Sequence, residues 1–173
     1  MWGFWLASLG ARDRALFARW AIGAAAAPRA RRTWTFLTHA GGTVPSILAA
    51  TLPLLLGNEV AIAARQALAT LVISHVLVQL VKRTVGRARP SYRLSVEALV
   101  TEPDRFSFPS GHAAAAFSIA LMYGVTFPLI GAVLVPLALL VGFSRVVLGV
   151  HYPSDVIAGQ AIALLTGLGV LLV

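Results

Sequence analysis

Cysteine is absent from the 173 residues, and acidic side chains number only 6. Without a thiol there is no disulfide scaffold, no thiolate zinc site and no cysteine nucleophile. Charge of either sign is scarce, at 12% against about 25% in a water-soluble domain. What fills the space is apolar: hydrophobic residues make up 58%, and the mean hydropathy is +0.84. These values exclude intrinsic disorder and an ordinary soluble globule. The length suits one domain. It is read as residues 1–173, with 1–32 an N-terminal interfacial segment and 33–173 a transmembrane core.

The scarcity of acid leaves a net charge of +8 from 14 basic residues. In a soluble protein such a balance would point to nucleic acid. Here the basic residues cluster at the ends of apolar runs. That placement fits membrane-flanking charge, or a site for an anionic headgroup, and argues against a nucleic-acid partner.

Residues 1–27 mix Trp2, Phe4, Trp5, Phe17 and Trp20 with Arg12, Asp13, Arg14 and Arg19. No uncharged run there approaches the ~20 residues needed to span, so the segment reads as an amphipathic interfacial helix. Its charges follow the first apolar stretch, which argues against a cleaved signal peptide. Pro28 and the cluster Arg29, Arg31, Arg32 close it. Five spans are then expected: 34–57, 60–81, 110–127, 128–148 and 153–173. Gly57-Asn58-Glu59 separates the first two, and residues 82–109 form the one long polar loop. Gly159, Ala163 and Gly167, four residues apart, make a small-residue seam that lets helices approach closely. The expected fold is an all-α integral membrane protein with about five transmembrane helices.

Five spans put the loop 82–109 and the connection before residue 153 on the same side of the bilayer. The N-terminus joins them, so 13 of the 14 Lys/Arg residues share one side, with Arg65 the exception. The positive-inside rule places that side in the cytoplasm, and the expected location is a bacterial inner membrane.

Three short constellations carry chemistry. Lys82 and Arg89, followed by Pro90, stand where the second apolar run stops. Lysine supplies a compact charge and arginine a planar fork that fits phosphate oxygens. The plain alternative is a positive membrane flank. Ser110-Gly111-His112 opens the third span. Serine suits an N-cap, glycine lets a ligand approach the backbone, and the helix N-terminus attracts anions. The plain alternative is an ordinary capped helix. Arg145 ends the fourth span, and His151 and Asp155 stand at the mouth of the fifth. Their four-residue spacing puts them on one helical face if the turn extends back to His151. A carboxylate so placed holds one imidazole nitrogen and leaves the other free. The plain alternative is a structural His–Asp pair. Together these residues describe a basic cradle with two histidines and one carboxylate, which is equipment for phosphoryl transfer.

The motifs KxxxxxxRP, PSGH and SRxxxxxHxxxD are complete and in order between residues 82 and 155. On them the chain resembles the PAP2 phosphatase superfamily, membrane lipid phosphatases whose site is shared with vanadium haloperoxidases. The resemblance covers a little under half of the sequence. It implies that His151 is a nucleophile forming a phosphohistidine and that Asp155 orients and polarises it. His112 would protonate the leaving oxygen and then activate water. Lys82, Arg89 and Arg145, with Ser110 and the Gly111 backbone, would hold the phosphate oxygens. It implies no cofactor and no metal. A metal reading of His112, His151 and Asp155 stays open on ligand type, although the neighbouring cations would repel a metal ion.

Other polar residues receive structural readings. His39 reads as interfacial. His75, Gln79 and Lys82 share a helical face, which suggests a helix–helix hydrogen bond, although polar groups inside a span are functional candidates by default. Arg83, Arg87 and Arg93 read as headgroup or orientation charges. The expected function is hydrolysis of a lipid phosphate monoester or diphosphate: phosphatidylglycerophosphate, phosphatidate or a polyprenyl phosphate. The alternative is a non-catalytic protein that binds anionic lipid, or a small transporter.

Overall fold

In hydrocarbon every backbone N–H and C=O must find a partner within its own segment, so long apolar runs become helices. The structure, a computed structural model, describes residues 2–94, 96–102 and 104–173. Its elements are α1 (Trp2–Trp20), α2 (Pro28–Ala40), α3 (Thr43–Thr51) with a 3-10 turn over Leu52–Leu56, and α4 (Asn58–Val85). The short α5 (Pro90–Leu94) follows, then α6 (Gly111–Thr126), α7 (Pro128–Val147) and α8 (Pro153–Leu171).

Each expected span has a helix in its place, but they are not equal. The helices α4, α7 and α8 are each long and apolar enough to cross a membrane. The first expected span is broken: α2 and α3 meet at a bend of 43°. Gly41 and Gly42 fall at the break, and Pro45 follows in the first turn of α3, where its missing N–H costs nothing. Counted as one span, the bent pair makes four, and α6 is apolar but only 16 residues long.

α6 is the central helix and packs against α4, α7 and α8. Small residues make this possible. A Cβ on Gly159 would run into the Ser110 carbonyl oxygen, so α8 meets the start of α6 backbone to backbone. Ala163 is buried with Val78 and Ala114, and a Cβ on Gly167 would lie 2.7 Å from Met122. The seam at 159, 163 and 167 thus lies where α8 meets α6 and α4. A hydrogen bond between Ser74 and Ser118, at 3.1 Å, joins α4 to α6. It supplies the helix–helix contact that the sequence suggested for His75, which is exposed instead. His75 and Gln79 each stand one position past the buried Ser74 and Val78, whereas Lys82 lies on the buried face itself.

The N-terminal helix is docked. Phe17 of α1 is buried with Val146, Tyr152 and Val156, its ring 5.5 Å from that of Tyr152. Trp20 and Trp34 both pack edge-on against Phe143 of α7. The C-terminal ends of α4 and α7 and the N-terminal ends of α6 and α8 therefore lie together, under α1 and α2.

Candidate active site

The site begins where α4 stops. Lys82 lies in its last turn, and Gly86 caps it in the left-handed conformation at φ 61°, its N–H donating to the Lys82 carbonyl. That turn sends Arg87, Ala88 and Arg89 back across the helix ends. There the Ser107 N–H donates to the Arg87 carbonyl at 2.8 Å, and Ala88 bridges to Phe106. Ser110 then caps α6, its hydroxyl accepting from the Ala113 N–H at 3.4 Å. Its own N–H donates to the Asp155 carbonyl at 2.9 Å, tying the start of α6 to the first turn of α8.

Arg89 and Arg145 are among the most deeply buried side chains of the molecule. Arg89 donates through Nε to the Asp104 carbonyl at 2.6 Å and through Nη1 to the Val150 carbonyl at 3.0 Å. Its Nη1 also lies 3.2 Å from His151 Nε2. Arg145 donates through Nη1 to Thr38 Oγ1 of α2 at 2.7 Å, while its buried Nε has no partner among the described residues. Lys82 donates to both carboxylate oxygens of Asp104 and to the Phe106 carbonyl. Asp104 thus bridges Lys82 and Arg89, and burial works against its charge. The two cations outweigh that effect and hold its carboxyl below the ordinary range.

His151 is 2% exposed. A guanidinium only donates, so the contact with Arg89 makes Nε2 the acceptor and leaves the ring proton on Nδ1. Nδ1 faces Asp155 Oδ2 at 3.6 Å. Burial above all, and then the Arg145, Arg89 and Lys82 charges, hold this imidazole well below its ordinary pKa. The ring is therefore neutral at neutral pH, with the Nε2 lone pair directed into the cationic cluster. His112, half-buried in the first turn of α6, lies within the electrostatic reach of Arg145, His151, Arg89 and Lys82.

The pairing of His151 with Asp155 does not come from a shared helical face. α8 begins at Pro153, so His151 precedes the helix. Asp155 instead occupies the third position of α8, and its Oδ2 accepts the Tyr152 N–H at 2.8 Å. That cap folds the chain back and brings His151 to the carboxylate. The structure brings together Lys82, Arg89, Ser110, Gly111, His112, Arg145, His151 and Asp155 at one end of the bundle. His39 is exposed on α2, apart from this cluster, and His75 faces outward from α4.

Sequence reasoning missed four participants. Arg87 is no free orientation charge: its Nη1 reaches Asp155 Oδ1 at 2.7 Å and its Nη2 reaches Asp13 of α1 at 2.6 Å. Asp13 had one visible signal, as the sole acidic residue among the first 58. Asp104 and Thr38 had none. Among the described residues no group of three His, Asp or Glu side chains converges as metal ligands.

Fold and site together define an integral membrane protein, all-helical among the described residues, with a cluster of buried cations and a neutral buried imidazole at one end. The chain belongs to the PAP2 superfamily, whose family model matches residues 63–173. Decaprenylphosphoryl-5-phosphoribose phosphatase of Mycobacterium tuberculosis is 39% identical over 97 residues, 55% of this chain and 52% of that protein. The chain thus spans about half the length of the curated relatives it matches. The crystal structure of Aquifex aeolicus LpxE superposes with a TM-score of 0.77 at 26% identity, covering 91% of this chain and 93% of that one. The PAP2 type phosphatidylglycerolphosphate phosphatase of Bacillus subtilis does so with a TM-score of 0.74 at 25% identity, covering 94% and 84%.

Proposed function

We propose that the protein is a lipid phosphatase that hydrolyses a phosphate monoester or diphosphate through a phosphohistidine. One observation carries the reading: a neutral imidazole nitrogen opens onto buried cations, and one of these has an N–H with no partner among the described residues. The phosphate oxygens lie against Lys82, Arg89, Arg145 and the N-terminus of α6 at Ser110 and Gly111. His151 Nε2 attacks phosphorus, and the bond to the lipid oxygen breaks as His112 protonates that oxygen. Asp155 stabilises the positive ring. Water, deprotonated by His112, then breaks the P–N bond and releases inorganic phosphate. The cations neutralise charge developing on the equatorial oxygens, where most of the catalysis of phosphoryl transfer resides. No step needs a metal ion.

The headgroup meets the cradle at the membrane surface, and the tail lies in the bilayer. An apolar groove between α4 and α8, lined by Ile73, Leu77, Ile162, Leu165 and Val170, suits a lipid chain. The names of the relatives support three substrate classes, polyprenyl-linked phosphates, lipid A 1-phosphate and glycerophospholipid phosphates. The positive-inside rule supports a cytoplasmic site in a bacterial inner membrane. The test is phosphate release from a panel of lipid phosphates in detergent, with EDTA present and absent. His151→Ala is expected to lose at least about 10³-fold in kcat, and chelation to change nothing. Equal release by parent and variant rejects the nucleophile, and loss of activity in EDTA rejects the metal-free cradle.

A further inference from the structure

Asp13 lies on α1, outside the residues that the family model matches, and is 6% exposed. Its Oδ1 accepts the Ser154 backbone N–H at 3.0 Å, and its Oδ2 accepts the Ser154 hydroxyl at 2.5 Å and Arg87 Nη2 at 2.6 Å. The other arm of the Arg87 fork, Nη1, donates at 2.7 Å both to Asp155 Oδ1 and to Ser154 Oγ. The guanidinium plane also lies 4.0 Å over the Tyr152 ring. Arg87 is thus clamped by one carboxylate on each arm, and a fork held at both tips cannot rotate. Asp155 receives that fixed arm on one oxygen. Its other oxygen accepts the Tyr152 N–H and stands 3.6 Å from His151 Nδ1, which has no hydrogen-bond partner among the described residues.

We propose that Asp13 is a positioning residue for the His151–Asp155 pair, acting through Arg87 and Ser154. The proposal rests on the phosphatase reading above. Asp13 makes no hydrogen bond to Lys82, Arg89 or Arg145, whose partners are Asp104, Phe106, Val150, His151 and Thr38. Its removal therefore misaims the nucleophile and leaves the phosphate cradle in place. A helix that merely held the bundle together would affect both alike.

The test uses the full chain in detergent with dioctanoyl phosphatidate as substrate. Asp13→Asn is expected to lower kcat by about 10- to 100-fold, the cost of misplacing reacting groups by a fraction of an ångström to an ångström, with KM within about twofold. Inhibition by vanadate, which takes a fifth bond from the attacking nitrogen, weakens about tenfold. Inhibition by inorganic phosphate, held by the cations and the α6 N-terminus without a bond to the imidazole, stays within about twofold. Arg87→Gln gives the same pattern, and the double variant loses no more than Arg87→Gln alone. KM and both inhibition constants are independent of the folded fraction, so a partly unfolded preparation still answers. Unchanged kcat and vanadate inhibition overturns the proposal, as does an equal weakening of vanadate and phosphate. Failure of the phosphatase reading looks different: the parent itself releases no phosphate, or releases no more than His151→Ala.

Discussion

Two residues of the site carry opposite messages about pH. His151 is buried among cations, so its imidazole resists protonation and stays neutral below its ordinary pKa of 6.5. If it attacks phosphorus, the acid limb that it sets in kcat/KM lies below pH 6.5. A limb at or above that value would mean an imidazolium in the cluster and contradict the burial. Asp104 is held in the ionised form by Lys82 and Arg89. A carboxyl depressed on folding adds stability above its unfolded pKa of about 3.9, and that stability is lost as pH falls through the folded value. Melting temperature against pH should therefore drop below about pH 4 in the parent, and by less in Asp104→Asn. Identical curves for the two proteins would remove Asp104 from the ion-pair bridge.

At the scale of helices, the arrangement depends on the absence of side chains. Ser110 reaches the first turn of α8 only because Gly159 presents no Cβ to its carbonyl. A valine there must push α6 from α8 at the point where Ser110 and Asp155 are tied. Gly159→Val is expected to cost about 1–3 kcal/mol through overpacking, read as a lower unfolding midpoint, and to reduce activity with it. Stability equal to the parent would show that the two helices stand further apart. The pattern of small residues was legible along α8 because four-residue spacing maps directly onto one helical stripe. The break of the first span was not: the run 34–57 carries no charge, and a hydropathy window does not register Gly41-Gly42. Only the packing of Thr38 on Arg145, and of Gly41 against the first turn of α6, shows why the chain bends there.

For the whole molecule, the decisive geometry is that Lys82, Arg89, His112, Arg145, His151 and Asp155 lie at one end. α8 starts beside that end and runs 19 residues, about 28 Å, to its C-terminus. The absence of cysteine makes this directly measurable, since any introduced thiol is the sole one. Tyr92→Cys and Leu172→Cys, both at exposed positions, should react with a membrane-impermeant maleimide from opposite faces of oriented vesicles. Labelling of both from the same face would overturn the orientation of α8 across the bilayer.

The amino-acid order alone sufficed for an all-helical membrane fold and for the inventory of cations and histidines, but not for the break in the first span. Hydrocarbon compels each apolar run to satisfy its own hydrogen bonds, and polar residues are driven to the ends of such runs. It did not suffice for the wiring between those residues. Asp13 meets Arg87 across 74 residues and Thr38 meets Arg145 across 107, separations with no period to read. The His151–Asp155 pair looked like a helical face and is built by a helix cap, because Pro153 starts α8 after the histidine. Which carboxylate neutralises which cation was decided only when α1 and the loop after α5 folded over the helix ends, since an ion pair forms where packing leaves two charges no other partner.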